Sequence, residues 1–398
     1  MEERCEYGME PPPEEDEISF EELLRRSEAQ EHYQQGLEKA AAAGDAAAGL
    51  AGFARALELD PGNPLHVMDC ALALNQAGQH TRARALAAGA RGLLPATAEQ
   101  LADGADNPYI LHRMGLLHSL VLDDEPAALP FYTAAHRLLP DFTPFTVDLA
   151  VCLRRCGHDT EALQLAAAAG EELYRAGELA PDDAEHLARL AHVVAEDDPV
   201  LGQRLAGRAL DAAGDDPNLL RDAGVVALLA GDDQAALERF RRACELAPDW
   251  DMPRGGLQAA MLGLGMFQEA AELGFETLAR WPEFDEVRFN TAAALLNSGR
   301  HDEARGEFEQ CLNRDAGDAM AHASLGVCLA LQGRADEARQ EQARALQLAP
   351  DDTQVRQVCD EIDRILDGGD GSAAAGPAGR LLLLALLSTL GRRTGRRR

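Results

Sequence analysis

The sequence predicts an all-α solenoid of stacked helical hairpins, and three observations carry that reading. Gly231, Gly265, Gly299 and Gly333 follow one another at intervals of 34 residues, as do Gly44 and Gly78. Apolar residues recur at three and four before these glycines, as in Leu325, Val327, Cys328, Leu329 and Leu331, which is the spacing of an amphipathic helix. The chain is rich in Ala, has only four Ile (Ile18, Ile110, Ile362 and Ile365) and is 5% aromatic, a profile that suits close helix contacts better than β layers.

The repeat unit can be read residue by residue. The glycine accepts a positive φ and stops the first helix. An Asp that follows it, as at Asp45 and Asp232, caps the second helix. Five residues after most of the glycines stands a small residue: Gly49, Ala83, Ala236, Ala270, Ala304 or Ala338. There two helices approach closely and a larger side chain would push them apart. Nine after the glycine come Phe53, Ala87, Phe240, Gly274, Phe308 or Gln342, the position that fills the gap toward the neighbouring unit. Seventeen after it come Pro61, Pro95, Pro248, Pro282 and Pro350, with Ala316 the exception, and these end the second helix. One hairpin cannot bury its apolar face alone, so stability comes from stacking on neighbours.

These residues resemble the tetratricopeptide repeat (TPR), most closely in AGVVALLAGDDQAALERFRRACELAP at 223–248 and LGVCLALQGRADEARQEQARALQLAP at 325–350. Weaker units fit around Gly44, Gly78, Gly157, Gly265 and Gly299. Two degenerate units cover roughly 107–140, with Gly115, Tyr132, Ala135 and Pro140 and the turn LDDEP, and roughly 183–217, with the turn EDDP. The resemblance implies a right-handed superhelical solenoid of about nine units with a capping helix at 352–368. Insertions are expected at 96–106 and at 170–182, where a second helix is extended. The organisation reads as an acidic, largely disordered tail at 1–28, with a short helix from Ser19, a solenoid with its cap at 29–368, a Gly/Ala linker at 369–380, and a Leu-rich then Arg-rich tail at 381–398.

Charge and cysteine usage bound the function. Net charge is −31, which disfavours nucleic acid as a partner. Only Lys39 among the 37 basic residues is lysine, which reads as codon bias. Cys70, Cys152, Cys244, Cys311, Cys328 and Cys359 fall within apolar helical patterns, as unpaired thiols in a reducing, cytoplasmic setting do. Cys152, Cys156 and His158 form the one group near metal-ligand spacing, with no second ligand pair. The pairs Asp123-Asp124 and Asp232-Asp233 read as turn and cap residues before they read as calcium ligands. Gly-rich phosphate loops, nucleophile elbows and zinc-protease motifs are missing from the sequence, so the expectation is a non-catalytic chain with no cofactor.

In proteins of the resembled family the first helix of each unit lines a concave face. Carried onto this sequence, that puts a partner groove at Met68, Leu72, Asn75, Tyr109, His112, Leu116, Val147, Val151, Arg154, Asn218, Arg221, Val225, Leu228, Met252, Phe289, Leu296, Met320 and Val327. The function expected is a scaffold or adaptor that holds a protein or peptide in an apolar groove. Some family members capture acidic chaperone tails with Lys, Asn and Arg; Asn290 stands at one such position, but the lysines are missing. The alternative is a membrane-surface adaptor. Residues 381–390 are too short to span a bilayer, yet with Arg392, Arg393, Arg396, Arg397 and Arg398 they suit a weak contact with an anionic surface.

Overall fold

The computed structural model describes residues 19–95, 100 and 106–368, with the Phe20 side chain left aside. The chain divides into two compact units, Met1–Phe145 and Thr146–Arg398. The described residues form nineteen α-helices and no strand. The first unit holds α1 (Phe20–Ala43), α2 (Leu50–Leu59), α3 (Pro64–Gln76), α4 (His80–Gly89), α5 (Pro108–Leu116) and α6 (Glu125–Leu138). The helix α7 (Thr143–Arg155) carries the division. The second unit continues with α8 (Asp159–Arg175), α9 (Pro181–Ala195), α10 (Pro199–Ala213), α11 (Pro217–Leu229), α12 (Asp233–Leu246), α13 (Met252–Gly263) and α14 (Phe267–Arg280). It ends with α15 (Asp285–Asn297), α16 (His301–Arg314), α17 (Ala319–Leu331), α18 (Ala335–Leu348) and α19 (Thr353–Leu366). In chain order these are nine helix pairs, α1/α2 to α17/α18, followed by a single helix. Within each unit the helices pack mainly on their sequence neighbours.

The turn chemistry explains the pairs. Gly44, Gly78, Gly157, Gly231, Gly265, Gly299 and Gly333 all have positive φ, between 65° and 80°. There the chain reverses in a conformation that costs glycine nothing. The degenerate turn after α5 puts Asp123 in that role, at φ 56°. It follows a stretch of π-helix at Leu117–Val121, an added residue that the sequence pattern does not announce. Asp45 and Asp232 cap the helices behind their turns, through Ala47 N and Ala235 N. Ser19 caps α1, which therefore starts inside the segment read as a tail and forms the first helix of the first pair.

Close contacts fall where the small residues stand. Ala83, Ala236, Ala270, Ala304 and Ala338 are all fully buried. Phe240 lies under Gly224 of its own pair and Gly256 of the next, and a Cβ at those glycines would come within 2.9 and 2.3 Å of its ring. Tyr132 covers Gly115 in the same manner, 2.6 Å from where a Cβ would stand. The last helix, α19, turns Val355, Val358, Cys359 and Ile362 inward against α17 and α18, and leaves its polar residues outside except the buried Glu361. Residues 170–175 extend α8, as expected of the second insertion; most of the first, at 96–106, and both tails beyond 18 and 368 lie outside the described residues.

Arginines tie successive pairs together. Arg208 donates to the carbonyls of Ala176 and Gly177, Arg242 bonds Asp215, and Arg280 bonds Asp249. Arg314 reaches Glu283, Asp285 and the Pro282 carbonyl. Each reaches from a second helix to the stretch that leads out of the preceding pair, with the branched guanidinium, a geometry that lysine lacks. Whatever the origin of the arginine bias, the fold uses it.

Candidate partner-binding face

The first helices of the pairs carry every residue expected at the partner groove, and burial sorts those residues into two groups. Met68, Leu72, Val147, Val225, Leu228, Phe289, Leu296 and Val327 are buried, from 0% to 9% exposed. Met68 and Leu72 belong to the core of the first unit, and Val225, Leu228, Phe289, Leu296 and Val327 to cores of the second. Asn75, His112, Leu116, Val151, Arg154, Arg221, Met252 and Met320 are half-buried, and Tyr109 and Asn218 are exposed. An apolar stripe toward a ligand and one toward a neighbouring helix have the same spacing, so the sequence could not separate the two groups. Asn290 is fully buried and donates to the Gly255 carbonyl at 3.3 Å, so it fills the core and is no clamp residue.

Polar members of the face are held by neighbours. Arg154 donates to the Val193 carbonyl at 2.7 Å and pairs with Asp197, which ties the end of α7 to the end of α9. Arg221 pairs with Asp222 and lies over the Trp250 ring, 5.4 Å from its centroid. Asn75 Oδ1 accepts from His80 Nδ1 at 2.8 Å. In the first unit a buried network joins three first helices. Tyr33 on α1 donates to Asp69 on α3 at 2.5 Å, and Arg113 on α5 donates to the same oxygen at 2.8 Å. Burial pushes the Asp69 carboxyl above the usual carboxylate range, with Arg113 and the Tyr33 hydrogen bond opposing the shift. Burial likewise raises the Tyr33 hydroxyl.

Aromatic residues gather at the start of α5. Tyr109 lies 5.8 Å from Phe142 and 5.6 Å from Phe145, and those two lie 4.7 Å apart, all edge to face. His112 lies 4.6 Å from Phe145. Sequence reading named Tyr109 and His112 and missed Phe142 and Phe145. The signal was there: NPYILH at 107–112 and PDFTPF at 140–145 place rings at equivalent loop-to-helix junctions of adjacent pairs.

Metal and thiol chemistry find little support in the geometry. Among the described residues no group of three or more His, Cys, Asp or Glu is placed to hold a metal ion. Burial pushes the thiols of Cys311 and Cys328 up to about 12 and those of Cys70 and Cys359 up to about 11, away from nucleophilic thiolates.

Comparison with known proteins agrees with the architecture. A tetratricopeptide repeat family model matches residues 260–318 and 292–353. No curated protein matches the sequence. Among solved structures the chain is similar to a tetratricopeptide repeat protein from Parabacteroides merdae ATCC 43184, with 15% identity, a TM-score of 0.51, and coverage of 64% of this chain and 98% of that one. It is also similar to a thermophilic TPR protein of Thermus thermophilus, with 21% identity, a TM-score of 0.40, and coverage of 45% and 98%. A third similarity is to the Cut9–Hcn1 hetero-tetramer of the APC/C, with 16% identity, a TM-score of 0.46, and coverage of 79% and 52%. The fold of the repeat is in general a scaffold for protein–protein interaction and generally non-catalytic. Residues 260–353 carry tetratricopeptide repeats, and the positive-φ turn glycines, small-residue contacts and helix pairs of the other described residues have the same helical-hairpin fold.

Proposed function

We propose that the chain is a non-catalytic adaptor that captures a protein or peptide through its first helices. The observation that supports this is the accessible set on those helices: in the first unit Tyr109 is exposed and His112 half-buried, and in the second unit Asn218 is exposed with Val151, Arg154, Arg221, Met252 and Met320 half-buried. Within either unit, mixed side chains of this kind recognise by hydrogen bonds, ring contacts and apolar contacts. The buried apolar positions first assigned to the groove, such as Met68 and Leu228, support the helices from beneath. Photo-crosslinkers placed at Tyr109, Asn218 and Val200 test the reading in intact cells. Val200 lies on α10, a second helix, and is 77% exposed. Crosslinks from Tyr109 or Asn218 to a partner, and none from Val200, are expected; a partner captured equally at Val200 moves the binding face away from the first helices.

The alternative, a membrane-surface adaptor addressed by 381–398, rests on the ten-residue apolar run and the five arginines after it. Among the described residues no helix is long and apolar enough to cross a membrane. Co-flotation of the intact chain with anionic vesicles at low salt, lost on deletion of 380–398, supports that reading, and no co-flotation removes it.

A further inference from the structure

We infer that the Tyr109–Phe142 patch of the first unit docks an arginine-bearing peptide segment of a partner. The inference deepens the adaptor reading and rests on it. The patch has a floor and a rim. Phe145 is the floor, 1% exposed, and holds both rim rings edge-on. Tyr109 is 53% exposed, the most exposed aromatic side chain among the described residues, and Phe142 beside it is half-buried. Rings fixed by a packed neighbour offer broad contact area with little rotamer entropy left to lose, which is how binding hot spots are built.

The charge around the rings names the ligand chemistry. Asp106 stands three residues before Tyr109, and Asp141 directly before Phe142; both are exposed. The chain as a whole carries −31, so a cationic segment is drawn in and an acidic one repelled. A guanidinium answers both features at once, because its plane stacks on an aromatic face while its edge donates to a carboxylate. An ammonium meets the charge but stacks less well. The molecule already uses that pairing internally, with Arg254 and Arg280 over Trp281 at 5.4 and 4.5 Å and Arg204 over Tyr174 at 5.0 Å.

The test is fluorescence anisotropy of the intact chain with labelled hexa-arginine amide and, separately, hexa-lysine amide. Tyr109→Ser with Phe142→Leu removes the rings and keeps bulk at the half-buried position. Hexa-arginine is expected to bind the parent more tightly than hexa-lysine and to lose roughly tenfold on the ring variant. Tyr109→Phe should retain binding, and Asp106→Asn with Asp141→Asn should weaken it and flatten its salt dependence. Unchanged helicity by circular dichroism accompanies each variant; if the double ring variant loses it, Tyr109→Ser alone carries the test. Equal affinity of parent and ring variant, or equal affinity for the two peptides, overturns the inference. Self-association of the parent that the ring variant abolishes gives the patch to a second copy of the chain and overturns it as well. If hexa-arginine fails while the Asn218 crosslink succeeds, this inference falls and the adaptor reading stands.

Discussion

The pair α11/α12 and the pair α13/α14 solve the same packing problem with opposite chemistry. In the first, Phe240 fills the space between successive pairs, and Gly224 and Gly256 make room for its ring. In the second, the ring position is Gly274, the position matching Gly224 is Gln258, and the one matching Gly256 is Asn290. A Cβ at Gly274 would lie 1.9 Å from Thr291 Oγ1 and 2.4 Å from Gln258 Nε2, so those side chains occupy the place that Phe240 takes next door. Gln258 donates to the Ala270 carbonyl at 2.8 Å and to Thr291 at 3.0 Å. One large apolar residue flanked by two glycines has become one glycine flanked by the Gln258 amide and the Thr291 hydroxyl. What the repeat keeps is volume; the chemistry that supplies it is free to change provided all three positions change together.

The comparison can be broken at either pair. Gly274→Phe alone drives a ring into filled space and should cost more than the roughly 1–3 kcal/mol usual for overpacking. Adding Gln258→Gly and Thr291→Ala clears the two side chains that fill that space and should recover part of that loss, a coupling that thermal unfolding of the single, double and triple variants reads directly. Additive losses would show that the three positions do not share one space. Phe240→Ala empties the other solution and should cost about 3–5 kcal/mol, measured by denaturant unfolding. The close contacts that these pairs share with the other regular pairs are tested by Ala236→Leu on α12 and Ala338→Leu on α18, each expected to cost about 1–3 kcal/mol. Full tolerance at both would contradict the packing at those positions.

The smallest effect concerns pH and sharpens the contrast between satisfied and unsatisfied polar groups. His118 in the π-helical stretch is 8% exposed, stacks on Phe131 at 5.4 Å, and has no hydrogen-bond partner at either ring nitrogen. Burial lowers its pKa from 6.5, with Asp124 opposing. A depressed imidazole leaves the folded state short of a proton that the unfolded chain binds. Stability is therefore complete above pH 6.5 and falls as the pH drops through 6.5 toward the folded value. His118→Leu should flatten the fall in stability as the pH drops through 6.5, read by denaturant unfolding on either side of that pH. An unchanged slope would place the acid sensitivity on other histidines, such as His186 and His192, whose pKa values burial also lowers.

Much of this fold could be read before any coordinates. Turn glycines, capping aspartates and buried alanines are local signals whose physics acts within a few residues, and each stands where the 34-residue period puts it. The exchange at Gln258, Gly274 and Thr291 was hidden because it spans two pairs and looks, position by position, like decay of the pattern. The added residue of the π-helical stretch was hidden because Leu117–Val121 is apolar on every side. The binding face was only partly legible. Leu228 and Asn218 lie on the same helix and were both assigned to the groove, yet one is 1% exposed and the other open to solvent. Which side of a first helix is covered depends on neighbours about one period away, and no short window contains them.

The buried thiols turn the molecule into its own recorder of opening. Cys70 sits in α3, Cys311 in α16, Cys328 in α17 and Cys359 in α19. Each is shielded from solvent, with a pKa raised by that shielding. An alkylating reagent can reach any of them only when its own helix pair has parted from the stack. The order in which these sulfurs are modified in native buffer then gives the order in which segments of the array breathe, from the end at α19 inward or from the middle outward, with no label added and no residue changed.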